Sequence, residues 1–173
     1  YGENVVLEKF NWSVYQGENW KITGPNGAGK STLLSLISGD NLQAYANQIY
    51  LFGRRRGTGE SIWDIKQQIG LVSSEFQVHY RESVSVMKVI LSGYFDTIGY
   101  YQLASEKQKK TALSWMRFLE INELAEEDFT RLSYGQQRLI LIARSMVKSP
   151  PLLILDEPCQ GLDRKNRNRV LKL

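Results

Sequence analysis

Cysteine and histidine each occur once in the 173 residues, as Cys159 and His79. A single thiol cannot close an internal disulfide, which suits a reducing compartment. A single imidazole excludes a multi-histidine metal site. Long apolar runs are missing too. The longest is five residues, Leu139 to Ala143, far short of the ~20 needed to span a bilayer. No charged-then-apolar leader opens the chain, so no secretory signal is expected. There is no repeat at a solenoid period and no low-complexity tract. Hydrophobic residues at 42% and charged residues at 23% exclude wholesale disorder and any fibrous class. A 19.9 kDa chain reads as one domain that hides roughly 68–70% of its unfolded surface. Net charge is +4 with a pI of about 9.1, which admits an anionic ligand. Nucleic-acid binding would need a concentrated basic patch. The chain opens abruptly at Tyr1 and stops inside the basic stretch Arg164 to Lys172, so neither end reads as a natural terminus.

The first third reads as strands around a glycine-rich loop. Short apolar runs from Val5 to Val14, a turn at Gln16-Gly17 and alternation at Trp20 and Ile22 predict strands. The loop Gly24 to Gly29 leads into a short helix, Ser31 to Ser38. Its core candidates are Leu33, Leu34, Leu36 and Ile37, and Gly39 is its stop. Ile49 to Phe52 and Ile69 to Val72 are further strands. From Val84 to Glu127 the apolar residues fall at helical spacing, among them Val86, Val89, Ile90, Leu113 and Met116, which predicts a helical insertion. A helix from Gln136 to Lys148 then precedes Leu152-Leu-Ile-Leu155, a continuous apolar run suited to a parallel strand covered on both faces. This order predicts an α/β core.

Three motifs carry chemistry. Gly24-Pro-Asn-Gly-Ala-Gly-Lys-Ser-Thr32 fits G-x-x-x-x-G-K-[ST] between a strand and a helix, the context of a phosphate-binding P-loop. Backbone N–H groups around Gly24, Asn26, Gly27, Ala28 and Gly29 converge on phosphates, and the helix that follows adds its positive end. Lys30 is expected to bridge the β- and γ-phosphates, and Ser31, beside Thr32, to ligate Mg²⁺. Leu152-Leu-Ile-Leu-Asp-Glu-Pro158 is a buried strand ending in carboxylates. Asp156 suits Mg²⁺, and Glu157 is placed to orient or deprotonate an attacking water. Leu132-Ser-Tyr-Gly-Gln-Gln137 is a capping box, Ser133 with Gln136. The same helix start, with the N–H of Gly135, can serve as an anion site for a nucleotide held by a second subunit.

Together GPNGAGKST, LSYGQQ, LLILDEP and Gly161-Leu-Asp163 resemble the ATP-binding-cassette ATPases over essentially the whole chain. The resemblance implies a P-loop NTPase core with a small antiparallel β-subdomain and a helical insertion. It divides the chain into core plus β-subdomain (1–73), helical subdomain (74–132), and signature helix with the carboxylate strand and crossing loop (133–173). It implies Mg²⁺-dependent ATP hydrolysis with ATP and Mg²⁺ bound, and a second cassette as partner. It implies roles for Tyr1 stacking on adenine, for Ser133, Gly135 and Gln136 capping the partner's γ-phosphate, and for Asp163 at the interface. Segments such as Gly17-Glu-Asn-Trp-Lys21, Leu51-Phe-Gly-Arg-Arg-Arg56 and Ser61-Ile-Trp-Asp64 resemble a tandem-cassette type linked to molybdate transport, of which this would be the second cassette, cut at both ends. That implies a cytoplasmic setting, at the inner face of the membrane where a membrane-domain subunit joins. The alternative is a soluble ATP-driven switch acting on protein or nucleic acid.

The sequence departs from the family in three places. Tyr134 stands where the signature has its first glycine. Ser74 falls where the family has its Mg²⁺-contacting glutamine, with Gln77 as the substitute. The family's switch histidine lies beyond the carboxylate strand, past the end of this segment, and His79 is in the wrong place to replace it, so the segment is expected to bind ATP better than it hydrolyses it. Arg54-Arg55-Arg56 reads as a solvated loop tip, or else as a nucleic-acid contact. Trp63 and Trp115 read as packing residues, Cys159 as a small buried residue, and Arg164 to Lys172 as a solvated helix face.

Overall fold

A computed structural model of the chain describes residues 6–73, 83–97 and 103–173. Tyr1, Ser74, Gln77 and His79 lie outside the described residues. The chain divides into two units, Tyr1–Lys66 and Gln67–Leu173.

In the first unit, helix α1 spans Lys30–Ser38 between two left-handed glycines, Gly29 at φ +83° and Gly39 at φ +85°. The Gly39 N–H bonds back to Ser35 O, so the glycine stop is the one expected. Leu33, Leu34, Leu36 and Ile37 are half-buried, and Ser38 is the fully buried residue of the helix. Strands β1 (Tyr50–Leu51) and β2 (Arg54–Arg55) pair antiparallel. Phe52 and Gly53 between them both take positive φ, +51° and +79°, as a tight hairpin turn demands. Helix α2 (Ile62–Gln68) leads out of the unit.

The strands expected in Val5 to Val14 and at Trp20 and Ile22 do not form among the described residues. An alternating segment becomes a strand only when a neighbouring edge takes its hydrogen bonds and a layer covers its apolar face. Phe10, Val14, Trp20 and Ile22 are exposed instead. The rings of Phe10, Trp12 and Trp20 stack edge-to-face on one another, with centroids 6.2 and 5.7 Å apart. The turn between these segments is present: Glu18 N–H donates to Tyr15 O at 3.1 Å around Gly17 at φ +85°.

Arg56 also departs from expectation. It is 3% exposed, ion-paired to Glu60 at 3.2 Å and held over the Tyr45 ring at 5.1 Å. Only Arg54 and Arg55 of the triplet face solvent. Glu60 accepts the N–H groups of Gly57 and Thr58. The Gly57 N–H above all, with the charge of Arg56 last, brings its carboxyl down from 4.5 to about 2.

The second unit holds the larger core. Strands β3 (Ile69–Val72) and β4 (Leu152–Leu155) pair parallel, Ile69 opposite Leu152 through Val72 opposite Leu155. The crossover carries helices α3 (Val86–Leu91) and α4 (Glu106–Phe118), then α5 (Tyr134–Met146). Helix α6 (Arg164–Val170) follows β4. Helix α5 is the centre: Arg138 to Ser145 are all buried. Within it Leu139 to Ala143 offer no polar face to solvent, while Arg138, Arg144 and Ser145 are buried polar residues. Val86, Val89 and Ile90 of α3, Ala112 and Met116 of α4, and Phe129 join it in one cluster. Each such side chain contributes about 1.5–3 kcal/mol on burial. Strand β4 is less enclosed than expected. Ile154 is buried, while Leu152, Leu153 and Leu155 are half-buried, because β3 is its one pairing neighbour among the described residues.

Trp115 packs against this cluster and meets Phe118 edge-on at 5.7 Å, but Trp63 is 56% exposed and does not act as a packing residue. Cys159 is half-buried against the cluster. The α6 face is not wholly solvated. Arg169 donates to Leu119 O at 3.3 Å and pairs with Glu120, which also pairs with Lys165.

Candidate functional site

The phosphate loop lies in the first unit. Gly27 and Gly29 sit at φ +82° and +83°, a region closed to most L-residues. At Gly27 a Cβ would meet nothing within 4 Å, so conformation and not space requires glycine there. Ala28 N–H closes a turn on Pro25 O at 3.3 Å. No side chain caps α1 at Gly29, so its first-turn amides are left for an external acceptor. The Lys30 ammonium donates to Gly24 O and Pro25 O, both at 2.8 Å, and closes the loop on itself. Residues 24–28 are exposed, as is Ser31, and Thr32 is half-buried. Left-handed glycines, an uncapped helix start and an ammonium on the loop fit a polyphosphate.

The other candidates lie in the second unit. Asp156 N–H donates to Val72 O at 2.9 Å, extending the β3–β4 ladder by one residue. Asp156 is therefore half-buried at the strand end. Glu157, next along, is exposed and held at φ +48°. The start of α5 is a complete capping box. Gln136 N–H donates to Ser133 Oγ at 3.4 Å, and Ser133 N–H to Gln136 Oε1 at 3.0 Å. Gly135 packs flush on the main chain of Gly161, where an added Cβ would come 3.0 Å from Gly161 O. Asp163 caps α6 by accepting from Asn166 N–H at 2.7 Å, with its other oxygen on Asn166 Nδ2 at 3.2 Å.

The structure thus brings Gly24 to Thr32 together in one unit and gathers Gly135, Asp156, Glu157 and the Gln160–Gly161 turn around α5 in the other. Two contacts were not anticipated. Tyr134 lays its ring over Gly161 and donates its hydroxyl to Gln160 Oε1 at 3.0 Å. Arg138, fully buried, donates through Nη2 to Glu157 O at 2.7 Å and to Asp156 O. The available signal was a cation directly ahead of the apolar run Leu139 to Ala143.

The family model for ABC transporters matches residues 7–160. The chain belongs to that family. It is 56% identical over 171 residues to the ABC transporter ATP-binding protein ModF of Escherichia coli (strain K12), covering 98% of this chain and 35% of that protein. It is 32% identical to the molybdate import ATP-binding protein MolC of Haemophilus influenzae, covering 99% of this chain and 61% of that one. Among solved structures, a dimeric post-hydrolysis state of the ATP-binding cassette MJ0796 bound to ADP and Pi matches at 25% identity, with a TM-score of 0.77, over 96% of this chain and 72% of that one. The chain therefore spans about a third of the length of ModF. The P-loop NTPase fold expected from the motifs is that of an ABC cassette. No helix among the described residues is long and apolar enough to cross a membrane.

Proposed function

We propose that this chain binds and hydrolyses ATP as one cassette of a head-to-tail pair, and that the pair drives import of molybdate or a related oxyanion. One observation carries the reading: an uncapped α1 headed by Gly29 and bearing Lys30 occurs in the same chain as a parallel strand ending in Asp156 and Glu157. Gly24, Asn26, Gly27, Ala28 and Gly29 present main-chain N–H groups to the phosphates. Lys30 exchanges its two loop carbonyls for β- and γ-phosphate oxygens. Ser31, beside Thr32, and Asp156 would hold Mg²⁺, which would neutralise phosphate charge. Glu157 accepts a proton from the attacking water or orients it.

Ser133, Gly135 and Gln136 face the γ-phosphate of a nucleotide held by the partner cassette, and Asp163 lies in that interface. Tyr1 stacks on the adenine. The oxyanion class rests on likeness to MolC. It carries with it a membrane-domain subunit and a cytoplasmic position at the membrane's inner face. In the full-length protein, Glu157→Gln should keep ATP binding, lose roughly 10²–10⁴-fold in turnover, and trap an ATP-dependent dimer in light scattering. Hydrolysis at the wild-type rate would remove Glu157 from the mechanism. Uptake of labelled molybdate in cells lacking the gene tests the cargo, and unchanged uptake would exclude it.

A further inference from the structure

Arg138 is the largest fully buried side chain among the described residues, and its exposure is 0%. It stands one turn into α5, near the helix end that repels cations. No carboxylate pairs with it among the described residues, and its Nε and Nη1 are buried without a hydrogen-bond partner there. A buried cation satisfied at one nitrogen is costly, and an apolar side chain of the same volume would fill the space at lower cost. What the guanidinium does accomplish is specific. Its Nη2 holds two successive main-chain oxygens, those of Asp156 and of Glu157. These are the residues at which β4 ends and the chain turns out of the sheet. Between them Glu157 is held at φ +48°, in the region that favours glycine.

We propose that Arg138 is a positioning residue for Glu157: by gripping the carbonyls of the two peptides that flank residue 157, those of Asp156 and of Glu157 itself, it holds residue 157 in the left-handed conformation and so fixes where its exposed carboxylate points. Without that grip the residue relaxes to an ordinary φ, and the carboxylate swings with it. The inference rests on the reading of Glu157 as the group that acts on water. The same helix carries Ser133, Gly135 and Gln136 at its start, about 3–8 Å from Arg138 along the axis at 1.5 Å per residue. Any displacement of α5 by a ligand at its N-terminus is therefore passed directly to the Glu157 main chain. Lysine is a poor substitute, because its single ammonium lacks the planar fork.

The test uses the full-length protein with Arg138→Lys and Arg138→Met. Turnover should fall roughly tenfold or more, while KM for ATP and the affinity for a non-hydrolysable ATP analogue stay within about threefold. In the Glu157→Gln background, Arg138→Lys should cause no further loss, since no carboxylate remains to be aimed. Multiplicative losses, or a folded Arg138 variant with wild-type turnover, would overturn the proposal. If Glu157→Gln alone hydrolyses at the wild-type rate, the functional reading fails instead, and the two failures are distinguishable. Wild-type protein labelled at arginine supplies a readout independent of the variants' folding. The Arg138 Nη2 protons should give separate, slowly exchanging NMR signals, and rotationally averaged, rapidly exchanging ones would overturn the grip.

Discussion

Replacing Gly161 by alanine tests whether Tyr134 is part of a fixed contact. Gly161 sits at φ +72°, and a Cβ there would overlap Tyr134 Cδ1 and lie 2.8 Å from Cε1. Two terms set the cost. Holding a non-glycine residue in the left-handed region costs about 1–2 kcal/mol. The overlap can be relieved by shifting the backbone or by swinging the ring. Tyr134 is 44% exposed, so the ring swings, and what it gives up is the hydroxyl bond to Gln160, about 0.5–1.5 kcal/mol. The expected destabilisation is therefore about 2–3 kcal/mol, read as a lower urea midpoint at unchanged slope. The Tyr134→Ala background separates the terms. With no ring to displace, Gly161→Ala should cost only the backbone part, leaving a coupling of about 1 kcal/mol. Costs that add to within about 0.5 kcal/mol would refute the contact.

Gly93→Ala should be worse, although Gly93 has an ordinary φ. Its Cβ would overlap Arg144 O and come 2.9 Å from Val147 Cγ2; the α5 backbone cannot swing away, so a loss of about 3 kcal/mol is expected in the same urea assay. Lys30→Ala should abolish tight binding of ATP by calorimetry while leaving the circular dichroism spectrum intact; retained affinity would remove Lys30 from the phosphate site. Glu60 has its folded-state pKa lowered from 4.5 to about 2, so its contribution is full above the unfolded value and disappears as pH falls through the folded one. Glu60→Gln should therefore lower the urea midpoint at pH 7, and the gap to wild type should close between about pH 4.5 and pH 2; a gap that widens on acidification would contradict the assignment.

The parts of the fold legible in the sequence are those whose cause is local. Gly39 ends α1, Ser133 with Gln136 opens α5, and Gln16-Gly17 turns the chain, because each signal lies within a few residues of the structure it makes. A helix within Gln136 to Lys148 was announced likewise, but its enclosure on every side was not, because that depends on the elements packed around it. Strands at Val5 to Val14 and Trp20 to Ile22 could not be settled this way, since a strand exists only through a partner that the local pattern does not name. The phosphate loop was legible because its function is written in backbone conformation, in glycines at 27 and 29. Arg56 and Arg138 were not, because a basic residue is presumed solvated until the acceptors that hold it are located, and those acceptors are four and about eighteen residues away.

Two of the three buried arginines, Arg56 and Arg138, also explain why charge counting misjudges this surface. Arg56 spends its charge on Glu60 and Tyr45, and Arg138 on main-chain oxygens, so neither contributes to an external field. The expected basic triplet is reduced to Arg54 and Arg55 on the exposed strand β2. A nucleic-acid contact built on two arginines would lose affinity with a salt slope of at most about two. The α6 cations Lys165 and Arg169 are likewise engaged with Glu120, whose carboxyl they hold below its ordinary range, Lys165 foremost. Lys30, by contrast, stands on the loop that leads into the uncapped amides of α1. On the proposed function, a triphosphate would be met there by a local cluster of donors and not by the mild net charge of the chain.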